Sequence, residues 1–288
     1  MVDVYGAHET RFYYVEETTY GVTPTNPSMT GLAGAENVEA AINPSNIKLR
    51  GIGSVDLQAI KKGLRQVMVK VAYPLPSDNP INFLQWAKVE LDKSLSIQVI
   101  YYKGTFASAT DIISLLHKGC KFNRLSVECS IEDVIRASAE LLGQDLTVGT
   151  AKITGATYGD NVGAVPFYES YVKKATTTLE RVTDWKWTIE NNLKRVPVIK
   201  TGGHILKYLP HRHRNLTGEV TFEFEDKEEF DDVINDTEFS LEFGLGGSPV
   251  KKAVFSNCKW EDIRTPTRIE DLVALKAPFV AKGPVAIS

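Results

Sequence analysis

The segments "CKFNRLSVECSIED" (residues 120–133) and "CKWEDIRTPTRIED" (residues 258–271) share Cys-Lys-aromatic, eight spacer residues and Ile-Glu-Asp. The offset is 138 residues. Carried to Leu141 and Phe279 without a gap, the alignment keeps six identities: Cys120, Lys121, Ile131, Glu132, Asp133 and Ala139. Phe122/Trp260, Leu125/Ile263 and Val134/Leu272 keep their type. An offset near half of the 288 residues predicts a duplicated domain, not a short-period solenoid. Matched core positions are expected at Cys120, Phe122 and Ile131, and at Cys258, Trp260 and Ile269.

The order of elements around the two segments agrees. Val67, Val69, Val71 and Tyr73 alternate with polar or small residues, as a strand does. Asp78, Asn79 and Pro80 then open a short helix through Phe83 and Trp86. Leu95, Ile97, Val99 and Tyr101 alternate again. In the second half Val220, Phe222 and Phe224 alternate, "DKEEFDDVIND" is a short helix with an acidic first turn, and Phe239, Leu241 and Phe243 alternate. Upstream strands are expected at 46–52 and at "DWKWTIENN". We expect domains at 1–150 and 151–288, a linker near 148–180, an extended arm over about 11–45, and a long loop at 195–214. The Thr, Pro, Asn and Gly of the arm argue against a regular core element.

Composition narrows the function. Hydrophobic residues are 43%, charged residues 24%, and net charge is -3, so no strongly basic surface for tight nucleic-acid binding is expected. Three cysteines are odd and sparse for a disulfide scaffold. The N-terminus lacks a basic stretch before an apolar run, and no apolar run approaches a membrane span, so a reduced cytosolic product is expected. His211 and His213 form the tightest histidine cluster, but flanking arginines and the lack of a third ligand disfavour a metal. No nucleophile-elbow, phosphate-loop or zinc-helix motif occurs. No enzyme activity and no cofactor are expected. The second-half strands place Glu219, Glu223, Glu225, Glu238 and Glu242 opposite their apolar residues. That fits a solvated sheet face or an acidic wall facing a confined aqueous space.

The stretches "YYVEETTYGVTPTNPSMTGL" (13–32) and "INPSNIKLRGIGSVDLQAIKKG" (42–63) resemble the tail tube proteins of long-tailed phages and archaeal tailed viruses. The resemblance implies a mainly β (α+β) chain: two tandem β-sandwich or barrel domains, each with a short helix, closing into a multi-subunit β-barrel ring. Six domains of four strands would give a backbone diameter of roughly 50 Å at ~4.8 Å spacing and ~45° tilt. The implied partners are the chain itself, in stacked trimeric pseudo-hexameric rings or in hexamers, with tape measure, tail terminator and distal tail proteins. Viral DNA would pass without specific binding, past Glu219, Glu223, Glu225 and Glu242, with no membrane involved. Ring-to-ring contacts are expected in the arm, at Tyr20, Val22 and Pro24, and in the loop, at His204, Leu206 and Tyr208. The implied location is the virion tail, assembled in the host cytoplasm. Alternatives are a ring subunit of a contractile injection or secretion machine, and a two-domain baseplate or adhesin module.

Overall fold

The computed structural model describes residues 4–199, 203–267 and 273–288. The first half carries β1 (Thr10–Glu17), β2 (Ser28–Leu32), β3 (Asn37–Asn43), β4 (Ile47–Leu49), β5 (Ala59–Lys61), β6 (Gln66–Pro74), β7 (Ser94–Tyr102), β8 (Ile112–Ser130), β9 (Arg136–Gly143) and β10 (Asp145–Gly149). The second carries β11 (Thr157–Asn161), β12 (Val172–Lys174), β13 (Thr177–Thr178), β14 (Val182–Glu190), β15 (Asn215–Glu223), α1 (Glu228–Ile234), β16 (Phe239–Gly244), β17 (Lys252–Trp260), β18 (Ala274–Ala281) and β19 (Val285–Ile287). The chain is mainly β.

The alternations produce strands for the expected reason. Val67, Val69, Val71 and Tyr73 all point into the core from β6, and Val220 and Phe222 do so from β15. Eight strands lie side by side, all antiparallel, in the order β3, β6, β9, β8, β14, β15, β18, β17. A second layer covers this sheet. Its first part runs from the N-terminal half of β8 through β7 and β1 to β2. Its second part runs from the N-terminal half of β17 through β16 to β12. Between the layers Phe12, Tyr14, Ile97 and Val99 meet Val69, Val71, Leu125 and Leu141 in one apolar core that continues into the second half.

The two Cys-Lys-aromatic segments mark where β8 and β17 pass from one layer to the other. Gly119 (φ 63°) and Asn257 (φ 50°) both adopt the left-handed conformation just before the cysteine. A bulge accompanies each, at Leu95/Ile97 and at Phe239/Leu241. An extra residue in that conformation bends a strand sharply. Cys120 and Cys258 follow the bend fully buried, where a small apolar side chain fits between converging sheets. The pairing registers repeat as well. Leu95 faces Cys120 as Phe239 faces Cys258. Phe122 faces Leu141 as Trp260 faces Phe279. Val71 faces Ala139 as Val220 faces Ala277.

Several expectations are corrected. The segment 11–45 is not an arm: β1, β2 and β3 are woven into the sheets and bury Phe12, Tyr13, Tyr14, Met29 and Leu32. Gly31 lies under the Tyr13 ring, where a Cβ would sit 2.7 Å from a ring carbon. Residues 46–52 are not the first-half counterpart of "DWKWTIENN". That role belongs to β3, since Val38 faces Val71 as Trp185 faces Val220. The helix expected after Pro80 is two 3-10 turns, Leu84–Ala87 and Val89–Leu91, because its apolar residues suffice for a single turn. Ile131 is not core. It is 52% exposed and opens a turn in which Glu132 is left-handed and Asp133 caps the Val134 amide at 2.8 Å. The repeated Ile-Glu-Asp is therefore turn chemistry in the first copy. Ile269 lies outside the described residues.

Candidate functional site

The outward face of the eight-stranded sheet is polar. Glu39, Glu128, Glu140, Glu190, Glu219 and Glu223 share it with Lys70, Arg124, Lys186 and Lys276. The strand alternation that buries Val69, Trp187 and Val220 on one side places these charges on the other. They are interlaced: Lys70 meets Glu39 at 3.2 Å, Lys186 meets Glu128 at 2.7 Å, and Arg124 meets Glu190 at 3.5 Å. Lys276 reaches Glu219 at 4.0 Å. The expected acidic wall is thus a mixed face with carboxylates in the majority.

The four expected channel carboxylates are not brought together. Glu219 and Glu223 share the outward face of β15, and Glu225 follows in the turn before α1. Glu242 lies on β16, in the other layer. Partial burial pushes its carboxyl up, but hydrogen bonds from the Tyr171 hydroxyl (2.7 Å) and Lys252 (3.0 Å) outweigh this and hold it below the usual range.

The arm and loop candidates are largely engaged within their own chain. Glu17 is buried and accepts four hydrogen bonds, from Ser94 Oγ (2.6 Å), Ser96 Oγ (2.7 Å), the Gly21 amide (2.7 Å) and the Gly119 amide (2.8 Å). This carboxylate fastens the turn carrying Tyr20, Val22 and Pro24 to the bend in β8. Tyr20 is half-buried, with the Lys121 ammonium 5.7 Å from its ring centre. The loop between β14 and β15 folds back over the first half. Leu206 and Leu209 are buried against Leu142, Leu64 and Met68. Leu206 is therefore an internal anchor, while His204 and Tyr208 stay exposed. His211 and His213 do not converge. His211 sits 3.5 Å from Asp92 and His213 faces solvent. Burial raises the pKa of all three thiols, to about 11 at Cys129 and about 12 at Cys258.

Among the described residues the sheet has two free borders, which periodicity did not reveal. At one end β3 pairs, among the described residues, only with β6. At the other, the chain beyond Trp260 runs on along β18 with its register shifted by one residue, as β8 does along β9 between Phe122 and Arg124. Arg264 and Lys276 exchange both backbone hydrogen bonds, at 3.0 and 2.8 Å. The same offset of 138 relates this pair to Ser126 and Ser138 in β8 and β9. In an antiparallel ladder donors alternate sides, so the amides of Ile263, Thr265 and Thr267 face outward. In β8 the corresponding stretch, Arg124–Ser130, pairs with β14.

The chain matches the model of a family described as phage tail tube protein over residues 7–281. No curated protein matches it. Among solved structures it is similar to a chain of the anti-feeding prophage baseplate, solved by cryo-electron microscopy with six-fold symmetrisation. The identity is 12% and the TM-score 0.37, over 53% of this chain and 99% of that one.

Proposed function

We infer the role of the molecule from its kinship: this chain belongs to the phage tail tube protein family. It is a tail component, and we read it as the major tube subunit, stacking as rings into a hollow conduit for viral DNA. Two tandem copies of one β module make up the chain, one ending near residue 149 and the other beginning near residue 172.

One observation carries this reading. The two modules are joined edge to edge, β8 to β14, with Trp187 opposite Val127. The same edges recur at the outer borders, as the outer side of residues 261–267 and as β3, with no partner there among the described residues. Repeating the internal junction between chains would place Thr265 of one copy opposite Ala40 of the next. Unpaired borders invite such addition. Each chain contributes eight strands to one sheet, so three chains supply about 24, enough for a closed wall roughly 50 Å across. The mixed charged face of β6, β8, β9, β14, β15 and β18 then lines the channel. Its cations are held by neighbouring carboxylates, which limits the counterion release that would bind a duplex.

Negative-stain microscopy of the purified chain tests the assignment. Rings or tubes with a central channel, containing three chains per ring, are expected. Discrete particles with no channel would instead favour a baseplate or adhesin module.

A further inference from the structure

The segment leading into β12 reaches back onto the first half. The Val165 amide donates to the Leu75 carbonyl at 2.9 Å, and the Ile135 amide donates to the Val165 carbonyl at 2.9 Å. The Leu75 amide in turn donates to the Ile135 carbonyl at 2.8 Å. Val165 thus completes a cluster of three residues whose side chains are all fully buried. The outer end of the chain repeats two of the three parts. Phe224 follows Phe222 as Leu75 follows Tyr73, and its amide donates to the Val273 carbonyl at 3.0 Å. The third part is missing there. Among the described residues neither the Phe224 carbonyl nor the Val273 amide has a backbone partner. Phe224 is 42% exposed and Val273 is half-buried, whereas Leu75 and Ile135 are sealed.

The segment leading into β1 has the form of the one leading into β12. Ala7–Glu9 and Phe167–Glu169 are each a single 3-10 turn. The Glu9 amide donates to the Gly6 carbonyl at 3.0 Å, and the Glu169 amide to the Pro166 carbonyl at 3.1 Å. Beyond the turns, Tyr14 faces Ile97 as Lys174 faces Leu241. In this correspondence Tyr5 stands where Val165 does. Its side chain is held within its own copy. The hydroxyl donates to Asp111 at 2.6 Å, and the ring meets Tyr101 edge-on at 6.4 Å between centres. Val165 is likewise held by its own half, against Gly246, where a Cβ would come within 2.3 Å of it. The backbone amide and carbonyl of Tyr5 make no hydrogen bond among the described residues.

We propose that Tyr5 of one copy completes the open cluster on the neighbouring copy, its amide donating to the Phe224 carbonyl and its carbonyl accepting from the Val273 amide. The Phe224 ring is then covered as Leu75 is. The contact rests on the ring reading, in which residues 261–267 of one copy lie beside β3 of the next. The segment before β1 of that next copy then approaches from the side on which the Val165 segment lies at the β8–β14 junction. It forms a second seam beside the paired strands, made by different residues. Backbone groups and an apolar ring left open at a border are what such an addition satisfies.

Two replacements separate the backbone bond from the side chain. Tyr5→Ala loses the hydroxyl and ring contacts but keeps the amide, whereas Tyr5→Pro loses the amide as well. Sedimentation over a concentration series gives the point of half-assembly into rings. The proline chain is expected to need roughly fivefold more protein than the alanine chain, the scale of one lost hydrogen bond at each junction. Rings carrying Tyr5→Cys with Phe224→Cys are expected to become disulfide-linked between copies on mild oxidation, since the three native thiols are buried. Equal curves for the proline and alanine chains, with no linked copies in rings visible by electron microscopy, would overturn the contact and leave the ring reading intact. Absence of rings from the wild-type chain would overturn both.

Discussion

His117 lies fully buried at the position where Phe255 stands in the second half, both facing the matched residues Ile97 and Leu241. Neither ring nitrogen makes a well-formed hydrogen bond among the described residues. Burial drives its pKa down to about 4, and the weaker pull of the Ile97 and Leu115 carbonyls does not offset it. The folded pKa is below the unfolded one, so the unfolded chain takes up the proton first. Stability is complete above about pH 6.5 and falls as pH drops toward 4, by on the order of 3 kcal/mol. His117→Phe should abolish that loss. Urea midpoints for both proteins between pH 7 and 4 measure it, and parallel curves would refute the assignment.

Glu17 is the other decisive residue. Its four donors include the backbone amides of Gly21 and Gly119, which bond to no other acceptor among the described residues. Glu17→Ala should cost ~3 kcal/mol, because charge-assisted hydrogen bonds are lost and buried donors stranded. A change under ~1 kcal/mol in equilibrium unfolding would show that water replaces the carboxylate. The sequence singled out "EETTYG" as a distinctive wording but not the reason for it. The reason is a contact between residues 17 and 119, about a hundred positions apart.

At the scale of elements, the alternating strands were legible in the sequence. What misled was composition. The Thr, Pro, Asn and Gly of 16–34 put that stretch in an arm of about 11–45, yet β2 fits between β1 and the parallel strand β11, with Gly31 making room for Tyr13. The 46–52 segment has the alternation of a strand and forms one, but in a projecting hairpin. Local pattern specifies that a strand forms, not what it pairs with. Residues 261–267 show the converse. They pair with β18 at Arg264 and, among the described residues, with no strand on their outer side. Thr265→Pro should remove an outward amide without disturbing the inner ladder, whereas Pro266 already occupies an inward-facing position. We expect the variant to sediment as a folded monomer; closed rings from it would place ring closure elsewhere.

For the whole molecule, the proposed conduit role makes the charged face the feature to test. Of the four carboxylates expected along a channel, Glu219 and Glu223 share that face, and Lys276 already approaches Glu219. Replacing both glutamates with lysine would turn β15 basic beside Lys276 and Lys186. Genome release from particles carrying the double variant should slow and become steeply salt-dependent, since phosphate neutralisation releases counterions. Release at the wild-type rate, insensitive to salt, would remove these residues from the channel wall.

By itself the sequence determined the β class, the offset of 138, the strand-forming alternations and the Cys-Lys-aromatic bend segments, because each is written in neighbouring residues or in the comparison of one stretch with another. Only the tertiary structure decided that Glu242 belongs to a different layer from Glu219, that Leu206 is an internal anchor, that Ile131 opens a turn, and which borders stay free. Those outcomes depend on pairing between strands far apart in the chain. Such pairing is governed by which edges and faces remain to be covered once the whole sheet has formed, and no local pattern of apolar and polar residues encodes that.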